Sequence, residues 1–242
     1  MAGTGKIRTW ILIAEQQLYY RFFYSKRDSM AQPKILGLKG ALEMRLSQVD
    51  DNHIAPLSEF VRRLRVKMGP GAAIPFVDPW DGGVEAEVLF LLEAPGSKAR
   101  SSGFVSMNNP DETARNFFEV TRDSGIDRKH IVIWNRVPWY IGCYSRIRPA
   151  KSADIAKGIE SLAELIELLP KLRACVLVGG KAQKALDHVK RVAPHLAVFS
   201  CPHPSPMFVN RKPENREILL SKCREVQSFL LGQGHVVGIK QA

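Results

Sequence analysis

Apolar residues recur along this chain in short solid runs separated by helical stripes. The first run is Val88-Leu89-Phe90-Leu91-Leu92, with Glu85 and Glu87 before it and Glu93-Ala94-Pro95-Gly96 after it. A run of that length between charges and turn residues predicts a buried parallel strand. Ile131-Val132-Ile133-Trp134, Ala174-Cys175-Val176-Leu177-Val178 and Leu196-Ala197-Val198-Phe199 repeat the pattern. Between the runs, apolar residues fall at helical spacing. Phe60, Val61, Leu64 and Met68 are interleaved with Arg62, Arg63, Arg65 and Lys67, which predicts a basic amphipathic helix ended by Gly69-Pro70-Gly71. Asn109 as N-cap, Pro110 at the first helical position and Glu112 at the third predict a helix running through Phe117, Phe118 and Val120 towards Gly125. Ile155, Ile159, Leu162, Leu165, Ile166 and Leu169 form a stripe that opens at Ser152 or Asp154 and closes at Pro170. Gly179-Gly180 turns the third strand into a helix carrying Ala182, Ala185 and Leu186, and a last helix starts near Glu214 and ends near Leu230.

Strands alternating with helices imply an α/β fold: a three-layer α/β/α sandwich around a central four-stranded parallel sheet, with right-handed crossovers. Residues 55–242 read as one domain and 1–54 as an N-terminal extension. Within that extension, Trp10 to Tyr24 is apolar and aromatic but interrupted by Glu15. It lacks a small-residue cleavage site, so it is not read as a secretory signal. A short helix on the core and a poorly packed extension both remain open for it.

Charge and cysteine usage narrow the function. Formal net charge is +11, which favours a polyanionic partner, most commonly nucleic acid. No run of 18 apolar residues occurs, so no membrane span is expected. The four cysteines, Cys143, Cys175, Cys201 and Cys223, form no close pair. That usage fits a reducing, cytoplasmic setting and argues against a disulfide scaffold, a zinc site or an iron–sulfur site. No metal or other cofactor is expected.

Three of the four strands end in a polar residue with proline close behind: Glu93 with Pro95, Asn135 with Pro138, His203 with Pro204. Ligands of open α/β sheets bind at the carboxyl ends of the strands, so these three should meet at one cleft. Each alone has an ordinary structural reading as a cap, a turn former or a hydrogen-bonded histidine. Together they suit cleavage of a C–N glycosidic bond. A carboxylate orients water or stabilises a cationic sugar, and a carboxamide offers donor and acceptor to a pyrimidine edge. A histidine donates to the oxygen that gains charge. Phe104, in the loop after Glu93, is placed to stack on the base, an interaction of roughly 1–3 kcal/mol.

Glu93-Ala94-Pro95-Gly96 after a strand, Asn135 after a second and His203-Pro204-Ser205-Pro206 after the last resemble the motifs of the uracil-DNA glycosylase superfamily, over roughly residues 75 to 231. That resemblance implies a monofunctional glycosylase that flips uracil out of DNA and leaves an abasic site. By it, Glu93 is the water-activating or cation-stabilising acid and His203 stabilises charge on the pyrimidine O2. Ala94, Pro95, Gly96, Phe104 and Asn135 bind the base. Ser205, Pro206, Met207, Phe208, Arg211 and Lys212 meet DNA, with Met207 or Phe208 filling the gap. The implied partner is uracil-containing DNA, bound by a monomer associated with the nucleoid. The departures also carry meaning. Leu92 replaces the first glycine of the iron–sulfur branch, and no histidine occurs in Ser97 to Gly103 for covalent capture of uracil. Gly96 stands where the classical enzymes place a thymine-excluding tyrosine, so other deaminated bases are candidates. Two competing readings are a catalytically weak sensor of uracil-containing or abasic DNA, and a small-molecule hydrolase on the same scaffold.

Overall fold

The computed structural model describes residues 32–143 and 146–233, the side chain of Arg146 excepted. The aromatic stretch from Trp10 to Tyr24 lies outside the described residues. The chain divides into Met1–Pro33 and Lys34–Ala242, and the fold below is that of the second unit.

The four apolar runs form one sheet. Its strands are β1 (Val88–Leu92), β2 (Ile131–Asn135), β3 (Ala174–Val178) and β4 (Ala197–Cys201), in the order β2-β1-β3-β4. All three pairings are parallel. β2 and β3 are buried along their whole length and β1 for its first four residues, whereas edge strand β4 is only partly covered. Solid apolar runs are what strands covered on both faces require. β4 runs two residues further than the apolar pattern suggests, because Ser200 and Cys201 continue the ladder opposite Leu177 and Val178.

The helices follow in chain order: α1 (Lys39–Ser47), α2 (Ala55–Met68), α3 (Ser97–Ser102), α4 (Glu112–Ser124), α5 (Ser152–Glu167), α6 (Gly180–Gln183), α7 (Leu186–Val192), α8 (Pro206–Val209) and α9 (Pro213–Leu230). Successive strand residues point to opposite faces, and the core divides accordingly. Leu89, Leu91, Val132, Trp134, Cys175 and Leu177 pack against α2, α5 and α7. Val88, Phe90, Ile131, Ile133, Ala174 and Val176 pack against α4 and α9. This is the expected three-layer arrangement. Two helix expectations change. The single helix after Gly179-Gly180 is two short ones, α6 and α7. The N-cap of α4 is Asp111, not Asn109: Asp111 Oδ1 accepts the Ala114 N–H at 2.9 Å. Asn109 is engaged elsewhere, its Nδ2 donating to the Phe104 carbonyl at 2.9 Å and its Oδ1 accepting the Ser102 hydroxyl at 2.6 Å.

Residues 34–54, grouped by sequence with the N-terminal extension, belong to the second unit. The reason is Arg45 on α1. Its side chain is wholly buried, ion-paired with the equally buried Asp78 and stacked 3.5 Å over the Trp80 ring. Arg128 completes the network, reaching Asp78 and Asp81 at 2.7 Å each. Removing one member of such a network leaves an uncompensated buried charge.

A candidate active site at the carboxyl edge of the sheet

β1 leaves the sheet at a point where its neighbour still supports it. The Arg136 N–H donates to the Leu92 carbonyl and the Val137 N–H to the Glu93 carbonyl, each at 2.8 Å. Ala94, Pro95 and Gly96 then turn the chain into α3, with Gly96 as N-cap. A Cβ at Gly96 would meet nothing within 4 Å, so this side of the site is open. The register sets Asn135 directly beside Leu92.

A cavity of about 270 Å³ opens at this edge. One part of its lining is Leu92, Ala94, Pro95, Gly96, Asn135 and His203; another is Val105, Ser106, Asn109, Asp111 and Phe117. Asn135 is 3% exposed, and its carboxamide nitrogen has no hydrogen-bond partner. Leaving such a donor buried and unpaired costs about 1–3 kcal/mol, a cost that a ligand accepting from it would remove.

His203 lies two residues beyond β4. Its backbone neighbourhood is set by Gly179 at the end of β3, whose N–H donates to the Cys201 carbonyl at 2.8 Å. Gly179 has φ +82°, and a Cβ there would stand 2.9 Å from His203 Cβ. Only glycine fits both conditions. Burial lowers the pKa of His203 below its ordinary value, and the carboxylates of Glu93 and Asp111 partly restore it. At neutral pH the ring is therefore an uncharged imidazole with one N–H to offer. Asn116 of α4 donates to the Pro204 carbonyl at 2.9 Å, which anchors the loop after His203.

The remaining candidates divide. Glu93 is not part of the cavity lining, although both of its neighbours are. Its carboxylate is partly exposed, 3.5 Å from the Lys181 ammonium, and its charge acts on both His203 and Arg136. Phe104 is not brought to the site. It is wholly buried, packed 6.4 Å from the Phe76 ring, because the residues at 104 and 105 pair with Phe76 and Val77 as a short parallel ladder. The cavity's aromatic wall is Phe117, from α4. In the segment after His203, Pro206–Val209 coil into the single turn of α8, and Met207 projects 87% exposed. Phe208 is half-buried, its carbonyl accepting from Asn215 Nδ2 at 2.6 Å. Ser205 supports that turn through its carbonyl, which accepts the Phe208 and Val209 N–H groups. Arg211 and Lys212 are exposed.

Three residues at this edge were not singled out by sequence reasoning. Asp111 is masked in the sequence by Asn109, which fits the N-cap position two residues earlier equally well. Lys181 follows directly on Gly179-Gly180, a position that could have been read as the end of the third strand. Arg136 adjoins Asn135, is 2% exposed, and has a buried Nε without a partner. Burial lowers its pKa, with Glu93 acting in the opposite direction. Among the described residues no group of three His, Cys, Asp or Glu side chains could hold a metal ion. The four cysteines are unpaired, with Cys143 exposed and the others buried. No described helix is long and apolar enough to cross a membrane.

A family model described as the uracil DNA glycosylase superfamily matches residues 79–225, a stretch that contains Glu93, Asn135 and His203. None of the curated proteins compared matches the chain.

Proposed function

The chain belongs to the uracil DNA glycosylase superfamily, which implies a hydrolase of N-glycosyl bonds to damaged DNA bases, and from that premise we propose that its substrate base is uracil. The observation that carries this reading is the unpartnered carboxamide nitrogen of Asn135, a residue of the cavity lining. Its nitrogen donates to a carbonyl at the pyrimidine edge while its oxygen accepts a ring N–H, a pairing that uracil completes and cytosine does not. An extruded uracil in contact with Asn135 sets its O2 within reach of His203. As the C1′–N1 bond stretches, negative charge moves onto the pyrimidine, and the neutral imidazole donates its N–H to O2. The sugar becomes cationic, and Glu93 stabilises that charge and orients the incoming water. Water oxygen bonds to C1′, one water proton is released, and the pyrimidine leaves as an anion that then takes up a proton. No covalent enzyme intermediate is required, so the product is an unbroken strand with an abasic site.

Met207 occupies the space vacated in the duplex, and Arg211 and Lys212 meet backbone phosphates. Incubation of the protein with a uracil-containing oligonucleotide should make the strand alkali-labile at the uracil position. Absence of breaks at enzyme in excess over DNA would refute the reading. A second reading draws on the Lys181 contact. With Glu93 paired to Lys181 outside the cavity lining, the protein would act as a sensor that binds uracil-containing or abasic DNA with little turnover. Retained affinity without product, unchanged by Glu93→Gln, would select it.

A further inference from the structure

The family-matched stretch begins at residue 79, yet the segment before it reaches one wall of the cavity, or the helix start directly after that wall, at four places. The Leu36 N–H donates to the Asn108 carbonyl at 3.1 Å. The Lys34 ammonium is paired with the Glu112 carboxylate. Gly37 lies against Pro110, close enough that an added Cβ would stand 3.2 Å from Pro110 Cβ. Arg45 is paired with Asp78, whose second oxygen accepts the Ser106 hydroxyl. Ser106 in turn accepts the Asn108 N–H at 2.9 Å. Ser106, Asn109 and Asp111 line the cavity.

These contacts matter because the wall is irregular chain. From Ser106 to Asp111 it belongs to no strand or helix, and segments without a ladder open at low free-energy cost unless tied from outside. Some ties lie within the matched region, from Ser102 and Phe104 to Asn109 and from Arg128 to the Asn108 side chain; the others come from upstream, and the strongest of those is buried. The Arg45 and Asp78 side chains are both 0% exposed, and Arg45 lies under the Trp80 ring face.

We propose that residues 34–47 are a working part of the base site, a strap that holds the Ser106–Asp111 wall in place, with Arg45 as a positioning residue acting through Asp78 and Ser106. The proposal rests on the reading that this cavity receives an extruded base. It assigns to a segment outside the family-matched region a share in how tightly the base is held.

Two variants of the full chain test it. Gly37 is exposed, so Gly37→Ala disturbs no core and presses only on Pro110, displacing the wall by tenths of an ångström. Misplacement of about 1 Å can cost 10²-fold, so a several-fold rise in KM is expected, with kcat and Tm near wild type. Arg45→Gln should speed hydrogen exchange of the wall amides around Asn108 and raise KM further at temperatures well below its Tm, with partial recovery in Arg45→Lys. Arg45→Gln with lowered Tm but wild-type wall exchange and KM would reduce Arg45 to fold support and overturn the proposal. Wild-type KM in Gly37→Ala would count against it in the same way. Hydrogen exchange needs no substrate, so it tests the strap even if the wild type excises no uracil, a result that would instead refute the functional reading.

Discussion

Gly179 and His203 are in contact through the absence of a side chain: a Cβ on Gly179 would lie 2.9 Å from His203 Cβ. The end of one strand thereby shapes the position of a histidine delivered by the next. The φ of +82° and ψ of 156° at Gly179 add a second demand for glycine, since an L side chain in that region is strained by roughly 1–3 kcal/mol. Gly179→Ala is therefore expected to lose about that much stability in denaturant melts. Its single-turnover excision should fall further than the stability loss explains, because His203 must move. Full activity in a folded Gly179→Ala protein would detach His203 from the chemistry.

Asn135 offers the opposite balance between stability and function. Its buried nitrogen has no partner, so Asn135→Ala removes an uncompensated donor, and the stability loss should be smaller than for a typical core truncation. Excision of uracil should drop by two orders of magnitude or more, on the order expected when a specific hydrogen-bonding group is lost from a recognition site. Equilibrium melts beside single-turnover rates measure both halves. A variant that is unstable yet active would reverse the assignment.

The titration of His203 has a definite sign. Burial depresses its pKa below the ordinary 6.5. The native state thus binds fewer protons than the unfolded chain between that lowered value and 6.5, and stability rises with pH through that window. Excision is expected to persist below pH 6.5 and to fail only as the ring finally gains its proton. Because Glu93 opposes the depression, Glu93→Gln should lower the His203 pKa further. Nuclear magnetic resonance titration of the ring reads this directly, and an upward shift in Glu93→Gln would contradict the geometry.

Asp78 titrates in the other sense. Burial works to raise its pKa, but the guanidinium groups of Arg45 and Arg128 outweigh burial and hold it at about 2. A depressed carboxylate contributes stability above its unfolded pKa of about 3.9, and this is lost as pH falls through about 2. Asp78→Asn should cost on the order of 3–5 kcal/mol, as removing one member of a buried ion cluster does. It should also flatten the acid limb of the stability profile. Urea melts from pH 2 to pH 7 would show both effects, and an unchanged acid limb would mean that the network is not the source.

Arg211 and Lys212 concern affinity and not turnover. If they meet phosphates, replacing either with Ala should reduce the slope of log K against log salt by about 1, with maximal excision rate unchanged. Titrations of abasic-site DNA across salt concentrations would check this, and an unaltered slope would place both side chains away from the backbone.

Much of the architecture was legible in the residues because it depends on neighbours in the chain. Solid apolar runs of four or five residues can be satisfied only by burial on both faces, so Val88–Leu92, Ile131–Asn135 and Ala174–Val178 had to be strands covered on both sides. Once those strands are parallel, whatever follows their carboxyl ends shares one edge, which is why Asn135 and His203 could be grouped before any distance was known. What chain order cannot express is which remote partner reaches a side chain first. Phe104 read as a stacking residue from its glycine-bordered loop, yet pairing of its segment with Phe76 and Val77 turns it into the core. Glu93 stands at the expected strand end, with a neighbour that spacing does not show: the Lys181 ammonium, 88 residues away, lies 3.5 Å from its carboxylate. The turn-rich stretch from Pro75 to Gly83 gave no sign that Asp78 would bury a charge shared by Arg45 and Arg128. Local pattern thus determined the sheet and the edge at which chemistry collects. Only the packing of distant segments decided which polar groups on that edge are free to meet a ligand, because ion pairing and burial are settled by spatial proximity, which residue spacing does not encode.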